Sequence, residues 1–395
     1  MVYDQPMMSE LDLMFTFCSR HKHLFIYGCE EKQTMLYKYL EMSGVSVAGY
    51  VISRRMHWET SIKGVPVYLP EELEGKGYEK ENTAFLMALP GTHYNEVLCS
   101  LQSLGYRHVF YLSEYNKNTI AYKMRPRTKE QFWLEVNLAD HCNLDCQMCD
   151  HYSQFAKPRL LDLEVYRRDM ERLSDLMDGT MGIMKLQGGE PLLNRQTGEI
   201  IKMTRKYFPD TRIFLFTNGL LLLQCEKWEE GNLWQCFHDY DVEVQLTVYP
   251  ISLDYGKIQK KAQDYGVKLM MFKEAANRDD TVPVKTSVKH THDLSGQQDS
   301  HSFISCYQFN ESIVLRNGKI YTCPMIPYSV YLEKQFSVSF ERCGEDGIDI
   351  YSVDSYEEIA EFVARRAPFC RYCNVRNRKF QIPWRQSGHS LSEYI

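Results

Sequence analysis

The sequence predicts an α/β chain in three parts. Two series of short apolar strands alternate with helical stretches, over residues 23–112 and 132–272, and a polar stretch separates them. A third, shorter part carries a hairpin at 312–323. Strands alternating with helices at this spacing argue for parallel sheets. The expected division is 1–125, 126–275 and 276–395.

In the first series, "HLFIYG" (23–28) predicts a buried strand entering a glycine turn, with a helix at 31–43 and a strand at 45–53 after it. "GVPVYLPEEL" (64–73), a strand at 83–89, a helix at 92–104 and a strand at 108–112 complete the set. This order is that of a doubly wound, Rossmann-like sheet. Its first turn, Gly28-Cys29-Glu30-Glu31-Lys32-Gln33, lacks glycines at positions 30 and 33, where a dinucleotide fingerprint has them. No nicotinamide cofactor is therefore expected. A crevice at the C-terminal edge of the sheet is expected to take a nucleotide-linked sugar or a glycan head group. Residues 116–131 are polar and predict a linker.

The second series opens with the strand "FWLEVNL" (132–138). Helices at 160–178, 195–207, 219–236 and 254–265 then alternate with strands at 183–188, 212–217, 242–248 and 267–272. A run of βα units in one direction predicts a full or partial barrel. Residues 275–303 are polar without a clear period and predict a connecting segment. In "SIVLRNGKIYTC" (312–323), Asn317-Gly318 is a strong signal for a two-residue hairpin turn.

Composition narrows the class. The 395 residues are 44% hydrophobic and 25% charged, the balance of a soluble globular protein. Net charge is −6, and Lys and Arg occur in nothing longer than pairs. Such a chain has no electrostatic footprint for nucleic acid. No stretch approaches the length of an apolar membrane span. The N-terminal stretch lacks a basic segment before an apolar core, so no signal peptide is expected. Thirteen cysteines in that context point to the reducing cytoplasm, where clustered thiols serve as metal ligands.

The densest cysteine cluster is "HCNLDCQMCDHY" (141–152), with Cys142, Cys146 and Cys149. It follows directly on a strand, so its thiolates sit at the C-terminal mouth of the sheet, where such proteins keep their sites. A structural zinc site would need a fourth ligand from His141, Asp150 or His151. On a four-iron cluster, three thiolates leave one iron open. "QGGEP" (187–191) and "TNG" (217–219) end the next two strands. Gly188 and Gly189 let a ligand approach the backbone closely, and Glu190 offers an acceptor for an ammonium. Three such strand ends in consecutive βα units make one site.

At these residues the sequence resembles the radical S-adenosylmethionine (SAM) superfamily, over about 130–275. The resemblance implies a [4Fe–4S] cluster on Cys142, Cys146 and Cys149, with SAM chelating the fourth iron. Reduction would split the sulfonium to a 5′-deoxyadenosyl radical that abstracts a substrate hydrogen. Gly188, Gly189, Glu190 and Pro191 would bind the methionyl amine, and Asn218 and Thr247 the ribose or carboxylate. Met148 stands at a position that is usually aromatic, near the adenine. An electron donor such as a flavodoxin or ferredoxin is the implied partner.

Four further cysteines form a second pattern. Cys306 and Cys323 flank the hairpin, and "FCRYC" supplies Cys370 and Cys373. This resembles the C-terminal extension called SPASM, and more closely its shorter version called twitch. The resemblance implies an auxiliary [4Fe–4S] cluster held by all four thiolates, with a zinc ribbon as the other reading. Cys18, Cys29, Cys99, Cys225 and Cys236 are expected to be mostly small apolar packers. Cys343 is the candidate hydrogen-atom donor to a substrate radical, with a structural thiol as the other reading. His151 and Tyr152 point toward where substrate should lie.

The N-terminal "GYVIS…GVPVYLPEEL" is similar, over about 90 residues, to the nucleotide-sugar-binding half of sugar N-acyltransferases, and the cysteine loop and the C-terminal "FCRYC…PW…S…SEY" resemble radical enzymes of cell-surface glycan clusters. A small-molecule or glycan substrate, dehydrogenated or epimerised at a hydroxyl-bearing carbon, is the expectation. The alternatives are a peptide-modifying maturase and a non-enzymatic iron–sulfur sensor or scaffold.

Overall fold

The computed structural model describes residues 9–54, 60–272 and 286–395. The chain divides into two compact units, Met1–Arg125 and Pro126–Ile395. Both are α/β with a parallel-rich sheet.

The first unit contains strands β1 (His23–Tyr27), β2 (Gly49–Val51), β3 (Ser61–Ile62), β4 (Val65–Tyr68), β5 (Thr83–Met87) and β6 (His108–Tyr111). Its helices are α1 (Glu10–Ser19), α2 (Glu31–Met42), α3 (Tyr94–Ser103) and α4 (Glu114–Met124). The sheet order is β3-β4-β2-β1-β5-β6, parallel except where β3 returns against β4. The strand order reverses between β1 and β5, the switch point of a doubly wound sheet. There Gln33 lies over Gly28 and donates to the Ala88 carbonyl at 2.8 Å. A glutamine side chain thus fills the turn where a phosphate-binding loop needs bare backbone. The expected linker is different too: 114–124 is helical. Ser113 caps that helix by accepting from the Asn116 amide at 3.3 Å, and Ile120, Ala121 and Met124 are buried. Three spaced apolar residues in a polar stretch were enough, because capping and packing outweigh its low overall hydrophobicity.

The second unit begins with β7 (Trp133–Ala139), α5 (Leu163–Met177), β8 (Ile183–Gly188), α6 (Thr197–Tyr207) and β9 (Arg212–Thr217). It continues through α7 (Leu233–Asp239), β10 (Val242–Thr247), α8 (Tyr255–Asp264) and β11 (Leu269–Phe272). The C-terminal part adds β12 (Thr286–Lys289), β13 (Ile313–Arg316), β14 (Lys319–Tyr321), α9 (Met325–Phe336), β15 (Gly347–Asp349), α10 (Tyr356–Val363) and β16 (Lys379–Pro383). Strands β7 to β11 pair in sequence order and all run parallel, as in a partial barrel.

Alternation on β7 separates two environments. Leu134, Val136 and Leu138 join the helix-side core with Leu186, Leu215 and Leu246 from the next three strands. Glu135 faces the other way, where it takes Lys185 at 3.0 Å and Gln187 at 2.7 Å. This face of the sheet is therefore polar, and Glu135 on it is paired, as burial of a carboxylate requires.

Two expectations change here. The helix expected at 219–236 is a looped stretch with one 3-10 turn, Cys225–Lys227, that becomes α-helical only at Leu233. Gly219 and Gly231 both take positive φ, and Asn232 caps the short helix by accepting from Trp234 and Gln235. The boundary expected at 275/276 lies outside the described residues. Beyond it the hairpin is continuous with the core sheet, because β13 pairs parallel with β7 while β14 and β15 extend the edge. No helix among the described residues is long and apolar enough to cross a membrane.

The hairpin turn has φ of 52° at Asn317 and 72° at Gly318, the left-handed pair of a two-residue turn. A Cβ on Gly318 would also stand 2.9 Å from the Tyr351 ring. Gly318→Ala should cost about 1–2 kcal/mol, measured by urea unfolding. An unchanged unfolding midpoint would contradict this turn.

Candidate functional site

The site is built where β7, β8 and β9 end. The chain leaving β7 carries residues 140–152, and β8 ends on Gly188-Gly189-Glu190 directly against it. The Gly189 amide donates to the Ala139 carbonyl at 2.8 Å, and the Glu190 amide to that of His141 at 3.1 Å. A Cβ on Gly188 would lie 2.3 Å from the Ala139 oxygen, and one on Gly189 2.2 Å from the His141 oxygen. Gly188 also has φ of 141°. The bare backbone expected to receive a ligand thus first receives the cysteine loop.

Glu190 is fully buried and ties the end of β8 to the end of β9. Its Oε1 accepts from Thr217 Oγ1 at 2.7 Å and from the Leu192 amide at 3.1 Å, and its Oε2 from the Asn218 amide at 2.9 Å. Burial still dominates, pushing the carboxyl up to about 7 against those donors. Asn218 then reaches the cysteine loop, donating to Asn143 Oδ1 at 2.7 Å, with Cys142 Sγ 3.7 Å away. Pro191 is buried and starts the 3-10 turn Pro191–Leu193.

These residues open onto one cavity of about 820 Å³. Cys142, Cys146, Cys149, Met148, Gly188, Gly189, Glu190, Asn218 and Thr247 all line it. Pro191 does not. Met148 takes φ of 60°, which fits the tight turn between the second and third cysteines. Tyr249, just past β10, lies beside all three cysteines and bonds to Cys146.

The thiols are chemically suited to a cationic cluster. Burial pushes Cys149 up to about 12 and Cys142 higher still, and the neighbouring cysteines and carboxylates push the same way. The charged groups that act most strongly on the two thiols, Glu190, Asp150 and the other cysteines, are all acidic. Iron would supply the missing positive charge and draw the thiolate form. Among the described residues, no three Cys, His, Asp or Glu converge tightly enough to share one ion. Thiolates that bind separate irons of a cluster do not need to.

The second cysteine set also comes together. Cys323, Cys370 and Cys373 interact electrostatically with one another and with Cys306. Burial raises Cys370 to about 12 and Cys323 well beyond the usual thiol range. Arg378 Nη2 donates to Cys306 Sγ at 3.3 Å and offsets thiolate charge there.

Cys343 is not brought to the cavity. It is exposed at the start of a 3-10 turn, with its amide on Asp346 Oδ2 at 2.9 Å. A hydrogen-atom donor must meet its substrate away from solvent, which this placement does not provide. Tyr152 is also displaced from its expected role: it is fully buried, with its hydroxyl 2.6 Å from His292 Nε2. His151 does line the cavity. Of the expected packers, Cys18, Cys225 and Cys236 are buried, and Cys99 is exposed.

Tyr249, His290, Tyr307, Gln308 and Trp384 line the cavity without having been singled out. Their signal in the sequence was weak, since each is a lone polar or aromatic residue far from the cysteine loop. Only the PW of the C-terminal motif pointed at Trp384.

Gly189→Ala should displace the cysteine loop and lower iron bound at that site after anaerobic reconstitution, while the Cys306 set keeps its own. Full iron retention would mean that the 2.2 Å approach is not the constraint.

Residues 136–235 match the radical SAM superfamily. GTP 3',8-cyclase of Sulfurovum sp. (strain NBC37-1) is 35% identical over 105 residues, covering 26% of this chain and 31% of the relative. The same-named protein of Nautilia profundicola (strain ATCC BAA-1463 / DSM 18972 / AmH) is 30% identical over 95 residues, with 24% and 30% covered. The chain thus spans about a third of the length of these curated relatives. Among solved structures, BtrN with AdoMet and 2-DOIA aligns at a TM-score of 0.39 and 20% identity, over 61% of this chain and 92% of that one. SuiB of Streptococcus suis bound to the precursor peptide SuiA aligns at 0.32 and 8% identity, over 72% and 82%. What the chain shares with the radical SAM superfamily is thus the segment that runs from β7 into α7.

Proposed function

We propose that the chain is a radical SAM enzyme acting on a carbohydrate or sugar-derived substrate, by dehydrogenation or epimerisation. The observation that carries the first half is the shared wall of one cavity: Cys142, Cys146, Cys149, Gly188, Gly189, Glu190, Asn218 and Thr247. The three cysteines would hold a [4Fe–4S] cluster, and SAM would lie between it and the strand ends. When bound and reduced by one electron, this pair supplies a 5′-deoxyadenosyl radical able to take a hydrogen atom from carbon.

The protein's own residues have three tasks. Gly188 and Gly189 keep the cysteine loop tight against β8. Glu190 clips the strand ends and keeps lone-pair capacity on Oε2 for a ligand amine. Met148 gives an apolar surface beside the loop, and Phe216, Tyr249 and Trp384 line the cavity further out.

The curated relatives share only about a hundred residues with this chain, over the superfamily segment. That stretch supports common radical generation and leaves the nucleotide of their name aside. A cavity of about 820 Å³ is within the range of sites for a cofactor plus a small molecule. The Cys306, Cys323, Cys370 and Cys373 set would hold an auxiliary [4Fe–4S] cluster. An external donor such as a flavodoxin or ferredoxin would supply the electron.

Iron content tests the assignment. Anaerobically reconstituted protein should carry about eight iron atoms per chain, four per cluster. Replacing Cys370 and Cys373 together by Ala should leave about four. Cys142→Ala should remove the other set and abolish 5′-deoxyadenosine formation under dithionite. Zinc in the C-terminal site, or cleavage of SAM surviving Cys142→Ala, would sink the two-cluster reading.

A further inference from the structure

One wall of the cavity is made by residues that the radical reading does not use. Asp150 is its anchor. Its Oδ1 takes His151 Nδ1 at 2.9 Å, and its Oδ2 takes Gln308 Nε2 at 3.0 Å. Nearby, His290 Nε2 is 2.7 Å from the Tyr307 hydroxyl. All five residues line the cavity.

Each of these bonds uses one end of a side chain and leaves the other end open. His151 Nε2, His290 Nδ1 and Gln308 Oε1 are buried with no hydrogen-bond partner among the described residues. His290 is 5% exposed and Gln308 1%. An unpaired buried polar atom is costly, so three on one wall of a ligand-sized cavity call for an explanation. A ligand that pairs with all three explains them together.

The atoms define what that ligand offers. Gln308 Oε1 only accepts, so the ligand must donate there. With Nδ1 directed at Asp150, His151 leaves Nε2 as the ring nitrogen for the ligand. His290 Nδ1 accepts or donates according to which way the Tyr307 hydroxyl turns. A phosphate or carboxylate, which only accepts, leaves Gln308 unpaired and faces the Asp150 carboxylate. Hydroxyl groups both donate and accept, and adjacent ones on a ring match closely set side-chain atoms.

Resting on the radical SAM reading of the same cavity, we propose that His151, His290 and Gln308 form a subsite that binds neighbouring hydroxyls of an uncharged sugar or cyclitol. Asp150 fixes the orientation of His151 and Gln308. Two of the three binding residues, His290 and Gln308, lie outside the matched segment 136–235. Gln308 is also two positions from Cys306, so the second cysteine set holds one end of the subsite.

The test uses the reconstituted holoprotein with SAM and without reductant. Binding of glucose, myo-inositol, glucose 1-phosphate and tetraalanine is measured by titration calorimetry and saturation-transfer NMR. Glucose or myo-inositol should bind, and Gln308→Ala and His290→Phe should each weaken that binding about tenfold. Melting temperature and iron content check that each variant is folded, and the two changes lie on separate segments. Binding of only the phosphate or the peptide, of none of the four, or equal binding in folded variants would overturn the subsite. Cleavage of SAM under dithionite is read separately. Its absence beside Gln308-dependent sugar binding would count against the radical reading alone, and the reverse result against the subsite alone.

Discussion

The mouth of the barrel depends on one fully buried carboxylate. Removing Glu190 from water costs several kcal/mol unless donors replace the lost hydration. Thr217, Leu192 and Asn218 replace it, and in doing so they bind the end of β8 to the end of β9. Asn218 passes the constraint on to Asn143 in the cysteine loop. Gly188 and Gly189 add a backbone contact between β8 and the same loop that no side chain would permit. The loop that carries three cysteines is therefore positioned by a carboxylate and two missing Cβ atoms, before any cofactor is present.

The far end of the chain braces the loop from the other side. The Gln147 amide donates to the Arg385 carbonyl at 3.0 Å, and the Ser387 amide to that of Asp145 at 2.8 Å. His389 pairs with Asp145 at 2.9 Å, and the Tyr394 hydroxyl donates to the Cys149 carbonyl at 3.3 Å. Trp384 enters the cavity from this strap. A second arm, Cys306-Tyr307-Gln308, has one end in the second cysteine set and the other on Asp150. Arg378 lies 5.0 Å from the Tyr307 ring and bonds to Cys306, which fixes the arm midway. Order at the second cysteine set is thereby tied to order on the cavity wall.

The first unit has a different logic. Its core is aromatic: Phe25 meets Tyr68, Tyr78 and Phe85 with centroids 4.9–6.0 Å apart. Part of the high tyrosine content is spent here, and part in the second unit, where Tyr152, Tyr166, Tyr328 and Tyr394 are almost fully buried. Buried tyrosines add apolar area and retain a hydroxyl that must find a partner, as Tyr152 finds His292 and Tyr166 finds Thr204.

The sequence by itself determined the α/β class, the order of β7 to β11, the hairpin turn and the two cysteine sets. Those are local properties: alternating apolar runs, a two-residue Asn-Gly turn, and thiols spaced along one loop. It also marked Glu190 and Asn218, because strand-end motifs lie at predictable places in βα units. It did not show that 114–124 is α-helical or that 219–232 is not, since capping and sparse packing decided both. Only the tertiary structure decided that Cys343 lies in solvent and Tyr152 in the core, and that His290, Gln308 and Trp384 reach the cavity. Those residues are far from the cysteine loop in sequence. What brings them there is the pairing of β13 with β7 and the return of the C-terminal strap, long-range contacts that no local pattern encodes.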